Sequence, residues 1–141
     1  MAPESMVHAL EQIHAMLVPD GALIDIHPNS EPVEFHYPLQ CGDRLLGYLE
    51  ESDDYLEYRQ ADKAVESIVA RGLFRMDSVE EFEFRTYADK FDELKGFLEE
   101  NWSDAIIPAE VIASAHAAEE ASGETGVFLR ELTKISLLKA L

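Results

Sequence analysis

Ala22-Leu23-Ile24-Asp25-Ile26, set between the turn-forming Pro19-Asp20-Gly21 and the terminating His27-Pro28, is apolar on both alternating faces except at Asp25. Successive residues of a strand face opposite ways, so a stretch apolar in both directions predicts a strand covered front and back inside a mostly parallel sheet. Such a strand requires neighbours on both edges and further layers on both faces, and the rest of the chain is expected to supply them.

Upstream, Pro3 and Glu4 suit a helix N-terminus, proline because its missing N–H is not needed there and glutamate because the helix dipole favours an acid. Met6, Leu10, Ile13 and Leu17 recur at helical spacing until Pro19 stops the ladder. Downstream, Pro28-Asn29-Ser30-Glu31-Pro32 is loop material. Val33, Phe35 and Tyr37 alternate against Glu34 and His36, and Leu45, Leu46, Tyr48 and Leu49 follow Gly42-Asp43, which predicts a hairpin projecting as a flap. Ser52, backed by Asp53 and Asp54, suits the N-cap of a second helix over 52–71, with Tyr58, Ala61, Val65, Ile68 and Val69 as its apolar stripe. Residues 73–87 read as strand with a break at Asp77-Ser78, Phe82, Phe84 and Thr86 alternating with Glu81, Glu83 and Arg85. Asp89, with Asp92 three positions on, is expected to cap a third helix buried through Phe91, Leu94, Leu98 and Trp102. A short helix from Pro108 to Ala121 and a last strand from Val127 to Leu138, covered on both faces, complete the reading.

The 141 residues are expected to form a single domain, 1–141. Against 29 acidic residues stand 11 Lys and Arg, and the resulting net charge of -18 repels phosphate backbones and anionic lipid heads. Nucleic acid and membrane are therefore not expected as partners. With 47% apolar residues the chain has the material for a core, unlike a disordered acidic tail. The single cysteine, Cys41, closes no intrachain disulfide, which points to a reducing compartment and a cytoplasmic location. No apolar run approaches the roughly 20 residues needed to span a bilayer.

The stretch Leu10-Glu11-Gln12-Ile13-His14-Ala15-Met16-Leu17-Val18-Pro19-Asp20-Gly21-Ala22-Leu23-Ile24-Asp25-Ile26 resembles a segment of the class I S-adenosylmethionine-dependent methyltransferases, namely a helix, an L-x-P-G-G turn and the fifth strand. Asp20 stands where that family usually has glycine. The succession of helix, strand, helix and long final strand that follows is also similar, so the resemblance runs from Pro3 to Leu141 while covering only the C-terminal half of the family's domain. It implies an α/β fold: a partial Rossmann-like sheet made of the family's last three strands, the final strand antiparallel and central, with the hairpin flap and about four helices. The family holds its cofactor on a Gly-rich turn that opens a helix, and no G-x-G occurs in this sequence. The resemblance thus implies a substrate-facing half with no cofactor alone, S-adenosylmethionine entering only if a partner supplies the missing half. It also implies that the flank of strand 22–26 lacks its usual neighbour, so a homodimer or a partner chain is expected to cover that edge.

Asp25 and His27 fall on one face of the strand, His27 at its C-terminal end, where open α/β sheets place ligands. An acid beside an imidazole can orient a substrate or shuttle a proton; the plainer alternative is a satisfied polar pair at a half-buried strand end. Tyr37 and Tyr55, with Tyr48, Tyr58 and Arg59, would lie over the substrate pocket that the resemblance implies, or else serve as amphipathic packing residues with Arg59 paired to surface acids. His27, His36 and Cys41 match no zinc spacing, and no metal is expected. Neither G-x-S-x-G nor a P-loop occurs, and no catalytic residue is assigned. Three functions remain open: a truncated methyltransferase-like domain without activity alone that acts as an oligomeric or assembly module, the substrate-binding half of a split methyltransferase, and a small-molecule binding protein reusing the substrate pocket.

Overall fold

The computed structural model of the chain describes residues 2–141. It is an α/β protein with four helices and an antiparallel sheet of several strands. Its contacts cluster into two units. The first comprises the segment ending at Ser30, Leu56–Phe82 and Leu132–Leu141; the second comprises Glu31–Tyr55 and Glu83–Glu131.

In the first unit, α1 (Pro3–Met16) starts with proline in its first turn and Glu4 beside it, as its sequence dictates. The chain then turns through Asp20, at φ 65°, into β1 (Ala22–Pro28). Gly21 is required in this turn, because a Cβ there would stand 2.8 Å from the Val18 carbonyl oxygen. The turn is tied to the end of β7 (Val127–Ala140), Asp20 N–H donating to the Ala140 carbonyl at 2.9 Å and Ala140 N–H to that of Gly21 at 2.8 Å. β1 and β7 run antiparallel, from Ala22 opposite Lys139 to Pro28 opposite Thr133. The core gathers Val65 and Ile68 of α2 (Leu56–Ala70), Phe74 from the start of β5 (Phe74–Ala88), and Leu138 and Ala140 of β7, closed by half-buried Val7, Leu10 and Leu23.

Three expectations change here. β1 is neither in a parallel sheet nor covered on both faces: among the described residues its one strand neighbour is the antiparallel β7. The face bearing Leu23, Asp25 and His27 is half-buried, whereas Ile24 and Ile26 on the other are 60% and 57% exposed. The run thus turns Leu23 inward beside the polar Asp25 and His27 and leaves its apolar face, with Ile24 and Ile26, open. α2 begins at Leu56 and not at Ser52, because Asp54 and Tyr55 have left-handed backbone, φ 53° and 59°, which no helix tolerates. The Ser52 hydroxyl is engaged by the Asp104 carboxylate at 3.1 Å instead of capping α2.

In the second unit, β2 (Glu34–Tyr37) and β3 (Arg44–Tyr48) form the expected hairpin, with a register shift between Phe35 and His36. It is no projecting flap: β2 also pairs with β7, Glu34 opposite Arg130 and His36 opposite Phe128, and Phe35 and Tyr37 are wholly buried. Burial of these alternating rings draws the hairpin into the sheet. β4 (Glu50–Glu51) and β6 (Ala105–Ile106) form a separate two-stranded ribbon. β5 runs unbroken through Asp77 and Ser78 and pairs with β7. α3 (Phe91–Asn101) follows Lys90, and the Asp89 capping box does not form; the Phe91 N–H donates instead to Glu119 Oε1 of α4 (Ala109–Ser122) at 2.6 Å. α4 approaches β3 so closely that a Cβ on Gly47 would meet Val111 Cγ2 at 2.6 Å. β7 is buried at three consecutive residues, 127–129, and after them at Thr133, Ser136, Leu138 and Ala140 with half-buried residues between, so full burial on both faces is confined to its start. No helix among the described residues is long and apolar enough to cross a membrane.

Candidate functional site

The alternation of β1 sends Asp25 and His27 to the same side, toward α1 and α2 of the first unit. There the His27 Nδ1 lies 2.7 Å from Asp25 Oδ2 and its Nε2 lies 2.9 Å from Asp62 Oδ1 on α2. Lys134, the residue opposite His27 on β7, donates from Nζ to the same Asp62 oxygen at 3.0 Å. The imidazole is the most enclosed of the four, its side chain 12% exposed.

Ionised carboxylates only accept hydrogen bonds, so it is the imidazolium form of His27, with both ring nitrogens donating, that makes the two bonds together. Its hydrogen bond to Asp25, and after the opposing effect of burial the one to Asp62, hold its pKa above the ordinary 6.5. At Asp62, burial works upward, but the bonds from His27 and Lys134 overcome it and lower the carboxyl pKa. Two acids and two cations thus neutralise each other where β1, α2 and β7 meet. An apolar pocket of about 280 Å³ adjoins them, lined by Met6, Ala9 and Leu10 of α1, by Ala61, Ala64 and Val65 of α2, and by Asp25.

With both N–H groups committed, His27 has no lone pair free to accept a proton, so in this state it is not a general base. The chemistry the cluster can perform is cohesion, binding a strand to a helix by charge-assisted bonds.

The other expected pocket residues part from this pair. Arg59 is half-buried on α2, one turn before Asp62. Tyr37 and Tyr55 belong to the second unit, where both are buried. The Tyr37 hydroxyl donates to the Glu124 carbonyl and receives a bond from Ser122 Oγ at 3.3 Å. The Tyr55 hydroxyl donates to the Leu49 carbonyl and accepts from Val33 N–H at 3.2 Å. These tyrosines pin backbone and form no lid. Asp62 and Lys134 escaped the sequence reading. Asp62 does carry a signal, since it sits four residues after Tyr58 and three before Val65, within the helix's apolar stripe. Lys134 becomes recognisable only with the β1–β7 register in hand.

No group of three or more His, Cys, Asp or Glu placed to hold a metal ion occurs among the described residues. His36 is hydrogen-bonded to Glu34 at 3.2 Å and stacked on Phe128, and Cys41 is exposed. The residues present do not fit S-adenosylmethionine either. The passages from strand into helix run through 52–55, through Asp89 and Lys90, and through Ile107 and Pro108, none with a glycine at which backbone could approach a ligand. Compared with protein-family models, with curated proteins and with solved structures, the chain matches none.

Proposed function

We propose that the chain is an assembly module, without methyl-transfer activity by itself, that dimerises by pairing the free edge of β1 with the same edge of a second copy. The observation that carries this is β1 itself: one edge is bonded to β7, the other to no strand among the described residues, and Ile24 and Ile26 stand exposed beside it. Unpaired strand edges invite another strand.

The sequence of β1 is suited to pairing with itself. An antiparallel two-fold centred on Ile24 sets Ile24 opposite Ile24 and Ala22 opposite Ile26, joining the two open apolar faces into one, and sets Asp25 opposite Leu23. Centring the axis on Asp25 would oppose two carboxylates, which is unfavourable. The committed hydrogens of His27 favour a cohesive role over a catalytic one. The placement of β7 between β1 and β5 supports kinship with the C-terminal half of a class I methyltransferase, whose edge strand would be the one now free.

Sedimentation equilibrium at micromolar concentration tests the reading. The wild type is expected at twice the 15.9 kDa chain mass. Ile24→Lys, which opposes two ammonium groups at the axis, is expected at one chain mass with unchanged far-UV circular dichroism, because Ile24 is solvent-exposed in the single chain. A wild type that sediments as one chain overturns the proposal. Calorimetric titration of S-adenosylmethionine into the chain alone is expected to give no binding heat.

A further inference from the structure

In the second unit, β5, β7 and α3 enclose a cleft of about 240 Å³. Three aromatic rings line it: Phe84 of β5, 54% exposed, Phe97 of α3, 50% exposed, and Trp102 just past the end of α3. Leu98 and Leu129 are its buried members. Its one charged member is Glu131, half-buried and without a hydrogen bond or ion pair to any described residue. Burial alone acts on this carboxyl, raising its pKa, whereas Glu34, Asp62 and Glu83, whose pKa values are lowered, each have a cationic partner. A carboxylate withdrawn from water without a counter-charge is costly, so the cleft is short of a cation.

The surroundings define which cation. Aromatic faces attract positive charge through their quadrupoles, most strongly when the cation is poorly hydrated. A bare calcium ion takes about six to eight oxygen ligands, and the side chains of the cleft offer only those of Glu131, Asn101 and Thr86. An anion would meet the Glu131 carboxylate, with only the Thr86 hydroxyl and the Asn101 amide as donors, one of the amide hydrogens being engaged by the Phe97 carbonyl at 2.9 Å. The volume falls below the roughly 300–1,000 Å³ of pockets for drug-sized ligands and suits a compact head group. We propose that this cleft binds a small organic cation of the quaternary-ammonium class, its methyl groups against Phe84, Phe97 and Trp102 and its charge facing Glu131. The inference is independent of dimerisation.

Trp102 is the single tryptophan of the chain, so its fluorescence reads the cleft directly. Choline chloride is titrated at constant ionic strength against sodium chloride, and in parallel against 3,3-dimethylbutan-1-ol, which has the shape of choline without the charge. Choline is expected to change the emission saturably, with the alcohol binding at least about tenfold more weakly, as one desolvated cation–π and carboxylate contact predicts. Glu131→Gln and Phe97→Ala are each expected to weaken choline about tenfold, and Glu110→Gln on α4 to leave it unchanged. Should Phe97→Ala fail to fold, the near-isosteric Glu131→Gln decides alone. A response to choline no different from that to sodium, equal binding of the alcohol, or equal weakening by Glu110→Gln overturns the proposal.

Discussion

His27 is held by two carboxylates at once, and its stability contribution follows from its proton. Because the folded-state pKa is raised, the contribution is complete below the ordinary value of 6.5 and is lost as pH rises through the folded value. Asp62 behaves oppositely: its lowered pKa gives stability present above the ordinary 3.8 and lost as pH falls through the folded value. His27→Gln removes the charge and leaves Asp25 and Asp62 without their shared donor. Urea denaturation at about pH 6 is expected to show the variant about 1–3 kcal/mol less stable than the wild type, the gap narrowing toward about pH 9. A gap that widens with pH would show the ring to be neutral in the fold. The Asp25–His27 pair was legible because alternation in a strand needs no tertiary knowledge. Its other members were not, because contact between residues 27, 62 and 134 depends on how a helix docks and how two strands register.

At the scale of elements, Tyr55 illustrates how a side chain can be misassigned when only its chemistry is visible. A tyrosine next to a supposed lid looks like a ligand contact. Here the ring is 5% exposed and its hydroxyl joins Val33 to Leu49 across the ends of the hairpin. Burial first, then the charges of Glu51, Glu131 and Glu50, push the phenol up to about 12 against the bond from Val33. Tyr55→Phe is expected to cost about 1–3 kcal/mol in thermal or urea unfolding, from two buried backbone groups left unpaired. In an alkaline absorbance titration it should remove the tyrosine transition at about 12. The left-handed backbone at Asp54 and Tyr55 also explains why the start of α2 was unreadable: Ser52-Asp53-Asp54 is a good cap in isolation, and the anchored Tyr55 overrules it. Elements governed by local pattern, namely α1, the hairpin, α4 and the long final strand, were found where periodicity and punctuation put them. The two-sided apolar character of β1 misled because an uncovered face and a covered one have the same sequence.

For the whole molecule, the net charge of -18 opposes the association that β1 invites. Each copy repels the other at long range, while the attraction at the edge comes from backbone pairing and from Ile24 and Ile26, which act only on contact. The two contributions respond differently to salt. The screening length falls from about 30 Å at 0.01 M ionic strength to about 3 Å at 1 M, which suppresses the repulsion and leaves the contact terms in place. Dimerisation is therefore expected to tighten as sodium chloride is added, by about an order of magnitude over that range. Association through complementary charges on a basic partner would weaken instead. Sedimentation velocity at a series of salt concentrations separates the two, and a dimer that dissociates with added salt would mean that ion pairs, and not the β1 edge, hold the copies together.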